Sequence, residues 1–153
     1  MNGLYPGIII LWLIWPTVAV AQVKIVPSRP HYNVQEAIRA TVQNKSSHAI
    51  TFCVEFGQTS STGNQIESTP SPFWVQQNLE NKWSTLLIGP DVGSVRHPVV
   101  VEPGKSEEFA LRLNNTGTMR LRLRYWDKSS PLADCAKLQA GTKLATSSVF
   151  KID

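Results

Sequence analysis

Val99 to Trp126 reads VVVEPGKSEEFALRLNNTGTMRLRLRYW, and this stretch decides the fold. From Met119 onward apolar and basic residues take turns. Met119, Leu121, Leu123 and Tyr125 share one parity, and Arg120, Arg122, Arg124 and Trp126 share the other. A strand sends successive side chains to opposite faces, so a period of two means one packed face and one wet face. On a helix the same residues would spread apolar groups around the whole circumference. Upstream, Glu107 to Leu113 alternates again, with Phe109, Leu111 and Leu113 on one face. Pro103-Gly104 predicts a type II turn, proline pre-setting φ and glycine taking the positive-φ position. Asn114 to Gly117 is a second break.

Two joins of these strands fit the pattern. A hairpin sets Leu113 opposite Met119, Leu111 opposite Leu121 and Glu108 opposite Arg124, with glycine at the left-handed loop position. The alternative sends the chain from one sheet to another, both apolar faces pointing into a shared core. Local alternation does not separate the two.

Working outward, Val23 to Val26 is a short apolar strand ended by Pro27 and Pro30. Ala37 to Gln43 alternates with Ile38, Ala40 and Val42 inward and ends in the turn cluster Asn44 to Ser47. Ile50 to Phe56 puts Ile50, Phe52, Val54 and Phe56 on one face and Cys53 on the other. Gly57 to Pro72, rich in Ser, Thr, Gly and Pro, reads as a long loop. Phe73 to Gln77 and Trp83 to Ile88 predict a hairpin across Asn78 to Lys82. Gly89 to Pro98 and Asp127 to Thr142 read as loops, the second carrying Cys135 and one helical turn over Ala133 to Ala140. Leu144 to Ile152 is a last strand that places Phe150 and Ile152 in the core. The count is about eight or nine short strands, an all-β chain, and a sandwich rather than a barrel.

Met1 to Ala21 reads as a secretory signal peptide. Ile8 to Trp15 is apolar, Pro16 breaks it, and Ala19-Val20-Ala21 is an A-x-A cleavage signal. The n-region lacks Lys and Arg, and an uncleaved anchor helix is the other reading. The apolar run falls short of the ~20 residues a bilayer span needs. Residues 22–153 then form one domain, long enough to bury a core, with no membrane span remaining. All 15 Lys and Arg and all 11 Asp and Glu fall in it, giving a net charge of +4. That charge speaks for solubility and falls short of a nucleic-acid binder's basic stripe. Two cysteines in an exported chain predict one disulfide, Cys53 to Cys135; free thiols and an intermolecular bridge are the rivals. Two cysteines with His31, His48 and His97 make no zinc spacing.

Several pieces resemble the immunoglobulin-like domains of exported bacterial proteins, many of unassigned function. They are Tyr32-x-x-x-Glu36-Ala37-Ile38, Asn44 after its strand, Trp83 after a polar turn, Glu102 to Ser106, and Gly117 to Leu121 running into Tyr125. The resemblance implies an immunoglobulin-like β-sandwich and favours the sheet crossing over the hairpin. It also points to bacteria, where the sequons at Asn44 and Asn114 serve as turn asparagines, and with the signal peptide the expected setting is secreted or periplasmic. Two departures stand out. Met119 occupies the place of a corner tyrosine, so that corner bond is lost or replaced, and the cysteines do not follow the inter-sheet antibody pattern. They would instead join a strand to the loop after Trp126. A second resemblance is to small bacterial proteinase inhibitors of similar architecture, for which 58–72 would be the presented loop.

Chemistry-bearing motifs are missing: no G-x-S-x-G, no H-E-x-x-H, no P-loop, no dinucleotide fingerprint. Glu107 and Glu108 point to opposite faces of one strand. The expectation is therefore a non-enzymatic module with no cofactor, metal or catalytic residue. The candidate partner-binding face is Arg120, Arg122, Arg124 and Trp126, a guanidinium row beside an indole, suited to an envelope protein or an anionic polymer. The competing view is an ordinary solvated sheet face. Phe73, Trp74, Trp83 and Trp126 divide in the same way between interface and core.

Overall fold

The computed structural model describes residues 22–56, 71–86, 95–131, 133, 135 and 141–153. The signal-peptide segment 1–21, residues 58–70 of the candidate inhibitory loop and most of the proposed helical turn over 133–140 lie outside the described residues. Eleven strands are described: β1 (Val23–Pro27), β2 (His31–Tyr32), β3 (Ile38–Asn44), β4 (Ile50–Phe56), β5 (Trp74–Leu79), β6 (Lys82–Leu86), β7 (Val95–Val101), β8 (Ser106–Leu111), β9 (Gly117–Tyr125), β10 (Lys143–Thr146) and β11 (Phe150–Ile152). Among the described residues no helix is long and apolar enough to cross a membrane.

Three sheets enclose a single core, in an immunoglobulin-like β-sandwich. One has the order β1-β3-β8. The second has the order β2-β11-β9-β5-β6, with β10 also on β9, and the third is the pair β4-β7. Strands β8 and β9 thus lie in different sheets, and the chain crosses between them over residues 112–116. Leu113 is not opposite Met119, which pairs with Gln77 and Phe150. Glu108 meets Arg39 at 3.0 Å and not Arg124. The alternation read from sequence fills the core: Met119, Leu121, Leu123 and Tyr125 are all buried against Ile38, Ala40, Val42, Val75, Phe150 and Ile152. Gly117, at φ 113°, opens β9 where a Cβ would stand 3.3 Å from Gln77 Nε2.

The β4-β7 pair continues the β3-β8 pair as one bent ribbon. Its corner is where the predicted Pro103-Gly104 turn forms. Gly104 has φ 72°, and Lys105 N–H donates to Glu102 O at 3.0 Å. Buried Asn44 locks the bend. Its Nδ2 donates to His48 O (2.9 Å) and Val101 O (2.8 Å), and its Oδ1 accepts from Ser46 N (3.0 Å) and Ser46 Oγ (2.6 Å). Asn44 is the last residue of β3, and its Nδ2 is engaged within the fold. Beyond the bend the ribbon reaches the second sheet, where Thr51 and Trp126 exchange backbone hydrogen bonds of 2.9 and 2.7 Å.

Cys53 and Cys135 form the intramolecular disulfide, Cα atoms 5.8 Å apart. Cys53 sits on the opposite face from Ile50, Phe52 and Val54, as the alternation required, yet that face is buried too. The loop after β9 folds over it. Thr51 Oγ1 donates to Lys128 O and accepts from Ser130 N, both at 2.8 Å.

Three sequence expectations are corrected. The β5-β6 connection is a two-residue turn, Glu80-Asn81, both at positive φ, so the strands run further than the five-residue loop allowed. A primed turn of this kind normally announces itself by glycine, and none is present. Val95 to Pro98 belong to β7 and not to a loop; Pro98 is tolerated because β7 pairs only with β4 among the described strands. The last strand is split at 147–149, raising the strand count. The β9 partner shifts by one residue between Thr146↔Arg122 and Phe150↔Met119, a bulge held by Ser147, which exchanges 2.9 Å bonds with the backbone of Leu121. The bulge turns Ala145 inward and Leu144 outward.

The corner bond denied to Met119 is supplied elsewhere. Buried Tyr32 places its hydroxyl against Ser28 Oγ (3.1 Å), Arg29 N (3.0 Å) and Arg39 O (3.3 Å). Its ring stacks edge-on with Phe150.

Candidate functional site

The three arginines project from the outer face of β9 because the apolar parity of that strand is claimed by the core. Register then chooses their company. On β5, Trp74 lies opposite Arg122 and Gln76 opposite Arg120; on β6, Trp83 is on the same face; on β10, Leu144 lies opposite Arg124 and Thr146 opposite Arg122. The arginines thus stand between indoles on one side and the short strand β10 on the other.

The guanidinium of Arg120 lies 4.1 Å from the centre of the Trp83 ring, and its Nε donates to Gln76 Oε1 at 2.8 Å. The Arg124 guanidinium lies 4.9 Å from the Trp74 ring centre, a diagonal contact across the sheet. Arg122 stands between the two. Burial and the charges of Arg120 and Arg124 hold it below the ordinary arginine range. Arginine remains a cation throughout the physiological range, so this marks the cost of burying a cation first and of crowding like charge second. Among the described residues, Nε of Arg122 and Nε of Arg124 are buried without an acceptor. Among the described residues, no carboxylate forms a salt bridge with any of the three arginines, whereas Arg29 and Arg39 are paired to Glu36 and Glu108. Both rings remain in reach of solvent, Trp74 at 38 % exposure, and Leu144 beside Arg124 is 43 % exposed.

The sequence placed Arg120, Arg122, Arg124 and Trp126 in one row. The structure brings the three arginines together and supplies their aromatic partners from β5 and β6. Trp126 lies just beyond β9, with its backbone bonded to Thr51. Trp74, Trp83 and Gln76 escaped the sequence reading of this face, because the β5-β9 register that sets them there is a long-range property. The nearest signal was the spacing of two tryptophans about one predicted hairpin.

A second polar cluster lies at the bend. His48 Nε2 is 2.5 Å from Asp127 Oδ1, and Lys143 Nζ donates to Asp127 Oδ2. The Lys143 hydrogen bond, and then the contact with His48, hold the Asp127 carboxyl below the usual range against the opposing effect of burial. His31 lies 3.7 Å from Asp153. His48 and His31 therefore face carboxylates that no sequence spacing indicated.

No protein-family model matches the chain, and no curated protein matches its sequence. Among solved structures, the chain is similar to the Salmonella enterica SafA pilin in complex with the SafB chaperone, with 13% identity and a TM-score of 0.37. That match covers 89% of this chain and 57% of that one, so the chain spans little more than half the length of its counterpart. It is also similar to the ASH / PapD-like domain 7 of human CEP192, with 11% identity and a TM-score of 0.31, covering 96% of this chain and 94% of that one. Both are likenesses of fold.

Proposed function

We propose that the chain is a non-enzymatic, immunoglobulin-like binding module of an exported bacterial protein, and that the outer face of β9, β5 and β6 takes an anionic partner of the cell envelope. One observation carries this reading: three guanidinium groups stand in a row without a carboxylate among the described residues, two of them steadied on indole rings. A sheet face meant only to stay wet normally mixes its signs, because neighbouring opposite charges remove the repulsion. The Cys53–Cys135 disulfide supports an oxidising compartment. The export signal read in 1–21 agrees with it.

The test is capture on the immobilised, oxidised chain from an envelope extract at low and moderate salt. The comparison is a triple charge reversal, Arg120→Glu, Arg122→Glu and Arg124→Glu, beside an equal reversal at Lys24, Lys45 and Lys105 away from this face. Retention lost only with the arginine triple, and weakening as salt rises, is the expected result. Equal loss from both triples would reduce the face to net charge and overturn the assignment.

A further inference from the structure

Resting on the anion-binding reading above, we propose that the arginine row recognises an extended acidic peptide segment whose glutamates recur at every second residue. The argument is one of period. Arg120, Arg122 and Arg124 are alternate residues of one strand; Arg120 is paired with β5, Arg124 with β10, and Arg122 with both. Alternate side chains on a strand stand about 6.6–6.8 Å apart, so the row repeats at that spacing. An extended polypeptide laid along β9 presents its own alternate side chains at the same interval. Three carboxylates on one of its faces then meet three guanidinium groups without strain in either backbone. In an acidic polysaccharide the charge interval is set by sugar rings and is not tied to the β pleat.

The hydrogen-bonding geometry agrees. Nε of Arg120 is committed to Gln76 Oε1, and Nε of Arg122 and Arg124 are sealed from water. The outward bonding capacity of all three groups is left to their terminal Nη nitrogens, which form the fork that takes a carboxylate by two parallel bonds. Stacking on Trp83 and Trp74 fixes the forks before binding, so less side-chain freedom is lost on association. Trp74 and Leu144 stand exposed on the two sides of Arg124 and offer apolar contact to the methylenes of a glutamate, which an aspartate has fewer of.

Synthetic peptides test this. Three would be titrated against the oxidised chain: three glutamates alternating with serines, the same composition with the glutamates adjacent, and the alternating peptide with aspartates. Heparin serves as the polysaccharide probe. The alternating glutamate peptide is expected to bind about five- to tenfold more tightly than the block peptide, because the block aligns one or two exposed ion pairs fewer. Arg122→Gln should erase that preference. Equal affinity for alternating and block peptides, with both lost in the arginine triple, would overturn the register argument and leave the anion-binding reading standing. Heparin bound more tightly than every peptide would overturn the choice of a peptide partner. Absence of binding by all four probes at low salt would overturn both.

Discussion

The bend of the β3-β4 ribbon and the outer face of β9 are both rich in polar groups, and they treat them in opposite ways. At the bend, buried Asn44 has every side-chain hydrogen-bonding capacity met, and Thr51 both donates and accepts. On the outer face, two buried Nε donors lack acceptors and three cations lack counter-charges among the described residues. Polar groups that serve the fold are matched by the fold, since an unmatched buried group is costly. A row left unmatched while Arg29 and Arg39, elsewhere on the domain, are paired calls for a different explanation.

The comparison breaks first at the bend. Replacing both cysteines, Cys53→Ser with Cys135→Ser, releases a loop closed over a separation of 82 residues. The expected loss is about 2–5 kcal/mol in denaturant unfolding, with peptide binding unchanged once folded. A loss below about 1 kcal/mol would show that Thr51 and its backbone bridge hold the loop unaided. Next comes Asn44→Ala. It removes the side-chain donor to Val101 O and the acceptor of Ser46 N–H in a closed corner, leaves His48 O to Ser46 Oγ, and should cost about 1–3 kcal/mol by the same measurement. Near-neutrality would mean that water enters and the bend is not a matched site.

How far these regions were legible in sequence follows the range of the forces that make them. Alternation around Met119 to Tyr125 and Ile50 to Val54 gave the class and most of the core, because burial on one face of a strand is a local pattern. The Pro103-Gly104 turn was legible for the same reason. The Glu80-Asn81 turn was not, since it lacks glycine, and the bulge at Ser147 was not, since its one-residue slip depends on β9. Leu144 therefore reaches the outer face unannounced. The arginine row was legible as a row. What holds it was not, because Trp83, Trp74 and Gln76 arrive through strand register. His48 and Asp127 meet across 79 residues of sequence, and no spacing rule covers such a pair.

Asp127 gives a smaller and pH-dependent test. Its carboxyl is held down by Lys143 first and by His48 as well, with burial opposing. The folded value lies below the unfolded one, near 3.9. Its contribution is therefore complete above about pH 4–5 and is lost as pH falls through the folded value. Asp127→Asn should cost about 0.5–1 kcal/mol at pH 7 and flatten the acid limb of the stability profile. An unchanged acid limb would mean that the Asp127 cluster adds nothing to the bend.

The smallest effect on stability separates the two regions most sharply. Arg122→Met keeps much of the aliphatic stem and removes the charge. If the row exists to cover the sheet, Met should serve nearly as well and the peptides should be indifferent to the change. If the row is held against its own repulsion for a partner, removing the central cation relieves burial and the push of Arg120 and Arg124. Unfolding free energy should then rise slightly, by up to about 0.5 kcal/mol, while affinity for the alternating glutamate peptide falls. Opposite signs in the two measurements are the mark of a binding surface, because a group chosen only for the fold does not gain stability by its removal. A loss of stability above about 1 kcal/mol with affinity intact would assign the arginines to the sheet itself, as rungs between Trp83 and Trp74, and return the outer face to the same category as the bend.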